Sequence, residues 1–116
     1  MQDFRNLKVW QKAHELTLLV YKLTLDFPKE ELFGLRNSLR RTSVEIPAHV
    51  AEGTGKDSDA EFSRSIGAAL SFANRLDYHV LLAFDLKMFS NSESEILNIE
   101  IIEVKKMSNG FKRRLR

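Results

Sequence analysis

The chain is 116 residues long, 43% hydrophobic and 29% charged, with a formal net charge of +2 and no cysteine. That length supports one hydrophobic core and one domain, residues 1–116, and the missing cysteine excludes disulfide and thiolate chemistry. No apolar run approaches a membrane span, and MQDFRNLKVW at the start lacks the basic-then-apolar pattern of a signal peptide, so a cytoplasmic protein is expected.

Helical periodicity dominates, and no segment alternates as a strand would. Val9, Ala13, Leu16, Val20, Leu23 and Phe27 step by four and three, which keeps them on one face of a first helix. Phe27-Pro28 should close that helix, because the residue before a proline is pushed out of the helical region. PKEELFG then reads as a connector. A second helix turns Leu35, Leu39, Thr42, Ile46 and either His49 or Val50 inward, and Gly53 is expected to stop it in the left-handed conformation. Pro47 stands inside this helix, where it costs about 3 kcal/mol and frees the carbonyl of Ser43. Either a bend or a new donor for that carbonyl must accommodate it.

Ser58-Asp59-Ala60-Glu61 has the pattern of a capping box and opens the longest helix, which runs to about Met88. Its inward positions are Phe62, Ile66, Ala69, Ala73, Leu76, Val80 and Ala83. Ser92-Glu93-Ser94-Glu95 reads as a second capping box. The fourth helix carries one stripe of Leu97, Ile101, Val104, Phe111 and Leu115 and another of Ile96, Ile99 and Ile102, and Gly110 should fray its end. Four helices with short connections predict an all-α, up-down-up-down antiparallel four-helix bundle. The second stripe, with Trp10, Leu18, Leu19 and Leu25 of the first helix, exceeds what one bundle covers, so a homo-oligomer is expected.

Charge is unevenly spread. Lys105, Lys106, Lys112, Arg113, Arg114 and Arg116 fall in the last twelve residues with no acid among them, while the preceding 104 residues carry 12 basic and 16 acidic side chains. Cations there offset a helix dipole or meet phosphate. Arg36 and Arg40 lie one turn apart with no acid three or four residues away, and so need either an acid from another helix or subunit or a phosphate. Arg41 has Glu45 one turn on as a partner. These nine residues are the candidate nucleic-acid contacts, acting by charge with little aromatic stacking.

Enzymatic readings find no support. His14, His49 and His79 sit on different helices, no Glu-x-x-His pair exists, and the one conceivable cluster is His14 with His49 and Glu52. GTGK at residues 53–56 lacks the strand and first glycine of a phosphate loop. No metal, cofactor or catalytic residue is assigned.

The stretch FRNLKVWQKAHELTLLVYKLTLDFPKEELFGLRNSLRRTSVEIPAHVAEG resembles the four-helix-bundle family of the 23S rRNA intervening-sequence proteins. The matching positions are Phe4, Leu7, Val9, Trp10 and Ala13, then Phe27, Pro28, Glu31, Phe33, Gly34 and Leu35, then Arg40, Arg41, Ile46, Pro47, Ala51, Glu52 and Gly53. His49 and Glu45 stand where that pattern has asparagine and serine. The resemblance implies a bundle assembling as a pentameric ring. It also implies kinship with the accessory variability determinants of diversity-generating retroelements, which bind nucleic acid and a reverse transcriptase through basic surfaces. The expected function is therefore a non-enzymatic oligomeric scaffold or adaptor that binds RNA or DNA, with a reverse transcriptase as the protein partner that the resemblance implies. The alternative is a protein-interaction module without nucleic-acid affinity.

Overall fold

The hydrophobic stripes become four helices: α1 (Lys8–Leu23), α2 (Leu35–Gly53), α3 (Asp59–Asp85) and α4 (Asn91–Arg114). They belong to a computed structural model that describes residues 3–31 and 33–115. Short 3-10 turns at Phe4–Asn6 and Lys29–Glu31 precede α1 and α2. Each helix packs on its sequence neighbour and α1 closes the ring against α4, while among the described residues the diagonal pairs do not approach. The result is the expected antiparallel four-helix bundle, 43 Å long and 23 by 20 Å across. No described helix is long and apolar enough to cross a membrane.

Nearly every inward position read from the spacing is buried, including all seven of α3, and between the two candidates on α2 it is Val50 that is buried while His49 stays at the edge. The gap in the α4 stripe between Val104 and Phe111 is filled by Ser108, whose buried hydroxyl finds no hydrogen-bond partner among the described residues. Pro47 is accommodated by a donor from the preceding helix, because the Ser43 carbonyl accepts from the Thr17 hydroxyl of α1. Outside the core, Leu18, Leu25, Ile96, Ile99 and Ile102 are exposed, whereas Trp10 and Leu19 pack against the core of the same chain.

The helix ends depart from the sequence reading. α1 stops at Leu23, four residues before Phe27, because side chains satisfy its last carbonyls: the Thr24 hydroxyl donates to Val20 O at 2.8 Å. Phe27 is buried all the same, 5.1 Å from the Phe89 ring. Gly53 is not left-handed, since among the described residues no glycine has positive φ. It is instead a point of close approach, where a Cβ would stand 2.5 Å from Phe62 Cδ1. Thr54 closes α2, with its amide and hydroxyl both donating to Ala51 O.

α3 ends at Asp85 without a glycine. Lys87 takes φ 64°, its amide donates to Phe84 O and that of Met88 to Ala83 O, the bond pattern of a left-handed helix stop. That turn sets the next cap at Ser90 rather than Ser92. The Ser90 hydroxyl accepts from the Glu93 amide at 3.1 Å and the Glu93 carboxylate accepts from the Ser90 amide at 2.9 Å. At Ser58 half of the expected box forms: its hydroxyl accepts from the Glu61 amide, but the Glu61 carboxylate accepts from that hydroxyl instead of an amide. α4 does not fray at Gly110 but runs on to Arg114, anchored by the Phe111 ring edge-on to Phe62 at 5.2 Å.

Candidate nucleic-acid interface

The candidate cations fall toward opposite ends of the bundle. Arg36, Arg40 and Arg41 lie in the half where α1 stops and α2 starts. The run from Lys105 to Arg114 ends beside the start of α1. Arg116 lies outside the described residues.

Arg40 finds its partners within its own chain, and they are not acids. Its Nε donates to Thr24 Oγ1 at 2.8 Å and its Nη2 to the Tyr21 carbonyl at 3.1 Å, with the guanidinium 4.5 Å from the Tyr21 ring centre. A cation on the last carbonyls of α1 satisfies orphan acceptors and opposes the helix dipole. Partial burial, and then Arg36 beside it, lower the pKa of Arg40, though a guanidinium stays charged. Arg36 is half-buried and, like Arg41, makes no ion pair among the described residues. The Arg41–Glu45 pair therefore does not close. Arg41 instead lines a groove between α2 and α3 with Arg75 and His79.

At the other end the cations divide. Lys105 is held by Asp77 of α3 at 3.0 Å. Lys112 lies against α3, its Nζ 3.5 Å from where a side chain on Gly67 would begin. Lys106 and Arg114 line a cleft of about 410 Å3 together with Lys8 from the first turn of α1, over a floor that includes Val9, Met107 and Phe111. No acid lines it. Arg113 is exposed beside it. Lys8 escaped the sequence reading, although a bundle of four antiparallel helices necessarily brings the start of the first beside the end of the last. That parity was the available signal.

The histidines do not cluster. His14 stacks on Trp10 at 4.8 Å, on the outer side of α1, while His49 stacks on Phe72 at 5.3 Å with Glu52 4.0 Å from its Nδ1. The His14–His49 contact conceivable from the sequence therefore does not form: each ring stacks on an aromatic neighbour of its own, His14 on Trp10 and His49 on Phe72. Among the described residues no group of three side chains is placed to hold a metal ion.

Residues 5–110 match the family described as 23S rRNA-intervening sequence protein. The crystal structure of a protein of unknown function from the S23 ribosomal protein family of Bacteroides thetaiotaomicron VPI-5482 superposes with a TM-score of 0.82 at 21% identity, over 90% of this chain and 95% of that one. At that identity the likeness is one of fold. No curated protein matches the sequence.

Proposed function

The chain belongs to the family of 23S rRNA-intervening sequence proteins, and from that premise we propose that it is a non-enzymatic scaffold that assembles as a homo-oligomer and holds nucleic acid by its phosphates. The observation that carries the nucleic-acid reading is the cleft where Lys8, Lys106 and Arg114 converge from both ends of the chain with no acid among them. Unpaired cations around an acid-free cleft are what a polyanionic backbone requires, and binding of this kind is salt-sensitive and only weakly selective. The oligomer, a pentameric ring by resemblance, is supported by the α3–α4 face, where Tyr78, Leu81 and Ile102 are exposed beside one open groove. Repetition around a ring would multiply a weak contact.

The test is titration of the intact protein with structured RNA and duplex DNA at low salt. Binding should weaken with salt by a log–log slope of about −0.9 per phosphate contacted. Charge reversal at Lys106, Arg113 and Arg114 should reduce both affinity and slope. Absence of binding, or indifference to reversal, removes the reading. Sedimentation at tens of micromolar tests the oligomer, and co-purification with a reverse transcriptase tests the partner that the retroelement kinship suggests. A second reading, a protein-interaction module without nucleic-acid affinity, is favoured by Arg40 and Lys105, whose partners lie within the protomer. An absorbance ratio free of nucleic acid after purification would support it.

A further inference from the structure

Away from the cationic end, α2 and α3 leave an open groove of about 900 Å3 whose walls carry Arg41, Arg75 and His79. We propose that this groove is a phosphate-binding site, with the guanidiniums of Arg41 and Arg75 holding the phosphoryl oxygens from two helices and His79 donating a further hydrogen bond. It is separate from the Lys8 cleft, with which it shares no lining residue, although Arg41 is among the nine candidate nucleic-acid contacts read from the sequence.

Three observations converge on it. First, neither Arg41 nor Arg75 has a carboxylate within 4.0 Å among the described residues, although Glu45 lies in the same wall one turn from Arg41. Second, Arg75 is set against the Phe72 ring, 5.1 Å from its centre. A guanidinium laid on an aromatic ring loses freedom yet keeps its in-plane N–H groups for an oxyanion. Third, His79 is half-buried with Nδ1 3.4 Å from the Thr42 hydroxyl. With that hydroxyl donating, the ring proton sits on Nε2. Burial, and then the charge of Arg75, lower the pKa of His79 and so favour its neutral ring.

The titratable and charged groups that face His79 across the groove are Tyr21 of α1, Arg41 and Glu45 of α2 and Arg75 of its own helix. At neutral pH they amount to two cations and one anion. A phosphate dianion placed between the arginines would reverse the local field and favour the protonated imidazole. Binding must therefore raise the His79 pKa, while Glu45 opposes binding.

The experiment follows the ring resonances of all three histidines in the intact protein through a pH titration, with and without inorganic phosphate. The expected result is a rise in the His79 midpoint alone, with His14 and His49 unmoved. Arg41→Gln and Arg75→Gln should each weaken phosphate binding by about tenfold, and Glu45→Gln, which leaves both arginines in place, should strengthen it. A dinucleoside monophosphate serves as the second probe. A response to phosphate alone assigns a phosphomonoester, and a response to both assigns a phosphodiester backbone. No response to either, equal shifts at all three histidines, or unchanged affinity in both arginine variants and Glu45→Gln overturns the proposal. Reversal of Lys106 and Arg114 should abolish nucleic-acid capture at the cleft and leave the His79 response intact. Loss of that response on the same reversal also overturns the site.

Discussion

The Thr17 hydroxyl lies 2.8 Å from the carbonyl oxygen of Ser43, across the α1–α2 contact. An amide at position 47 would have bonded that carbonyl, and proline has none. The same hydroxyl is 3.2 Å from Ala13 O in its own helix, but it has one proton and the shorter contact takes it. Thr17→Val keeps the shape and removes the proton, leaving a buried carbonyl unpaired at a cost of about 1–3 kcal/mol. Adding Pro47→Ala returns an amide to Ser43, so the double variant should recover most of the loss. Urea unfolding of the two single variants, the double variant and the parent closes the cycle, and additive effects would refute the coupling.

Arg40 bonds the end of α1, so its removal should cost fold stability and not nucleic-acid affinity. Arg40→Lys cannot reach Thr24 Oγ1 and Tyr21 O with one planar fork, and a loss of about 1–2 kcal/mol is expected. Unfolding midpoints and RNA titrations on the same preparation separate the two readouts. A variant of unchanged stability with weakened RNA binding would return Arg40 to the interface.

Gly53→Ala improves helix propensity by about 1 kcal/mol, yet it should destabilise the protein. The new methyl group would meet Phe62 Cδ1 at 2.5 Å and Ser65 Cβ at 3.1 Å. Phe62 is buried and engaged by Phe111, so it has little room to yield. Overpacking of this kind costs about 1–3 kcal/mol. Pairing the change with Phe62→Leu should restore part of the loss, which thermal unfolding would show.

Lys87→Gly should do the opposite. Its φ of 64° carries a steric penalty for any side chain, about 1–2 kcal/mol, offset in part by the greater freedom of glycine in the unfolded chain. A net gain of about 1 kcal/mol is expected, with Lys87→Ala close to neutral. A loss of stability with glycine would mean that the lysine side chain itself holds the turn.

The helical faces were legible because apolar residues at steps of three and four can be buried together in only one way, and Ala69, Ala73 and Leu76 follow that rule without exception. The ends were less so. Ser90 and Ser92 are each followed three residues later by a glutamate, and only the left-handed turn at Lys87 decides between them. Thr17 was hidden for a related reason. A threonine on a core face reads as a small side chain, and its role depends on a carbonyl twenty-six residues away. Arg40 showed its lack of a local acid in the sequence, but carbonyls at the end of another helix are partners that no charge pattern reveals. The groove of Arg41, Arg75 and His79 likewise exists only once two helices are laid side by side.

Lys8 and Arg114 share one cleft, so the described beginning and end of the polypeptide are neighbours in space. A short flexible tether could join them, and new termini opened near Lys87, at the far pole, would yield a circular permutant with all four rods unbroken. Cargo joined beside Lys8 or Arg114 would crowd the cationic pole, whereas cargo joined near Lys87 would leave that pole bare. The two architectures would thus present opposite poles of the same molecule to solution.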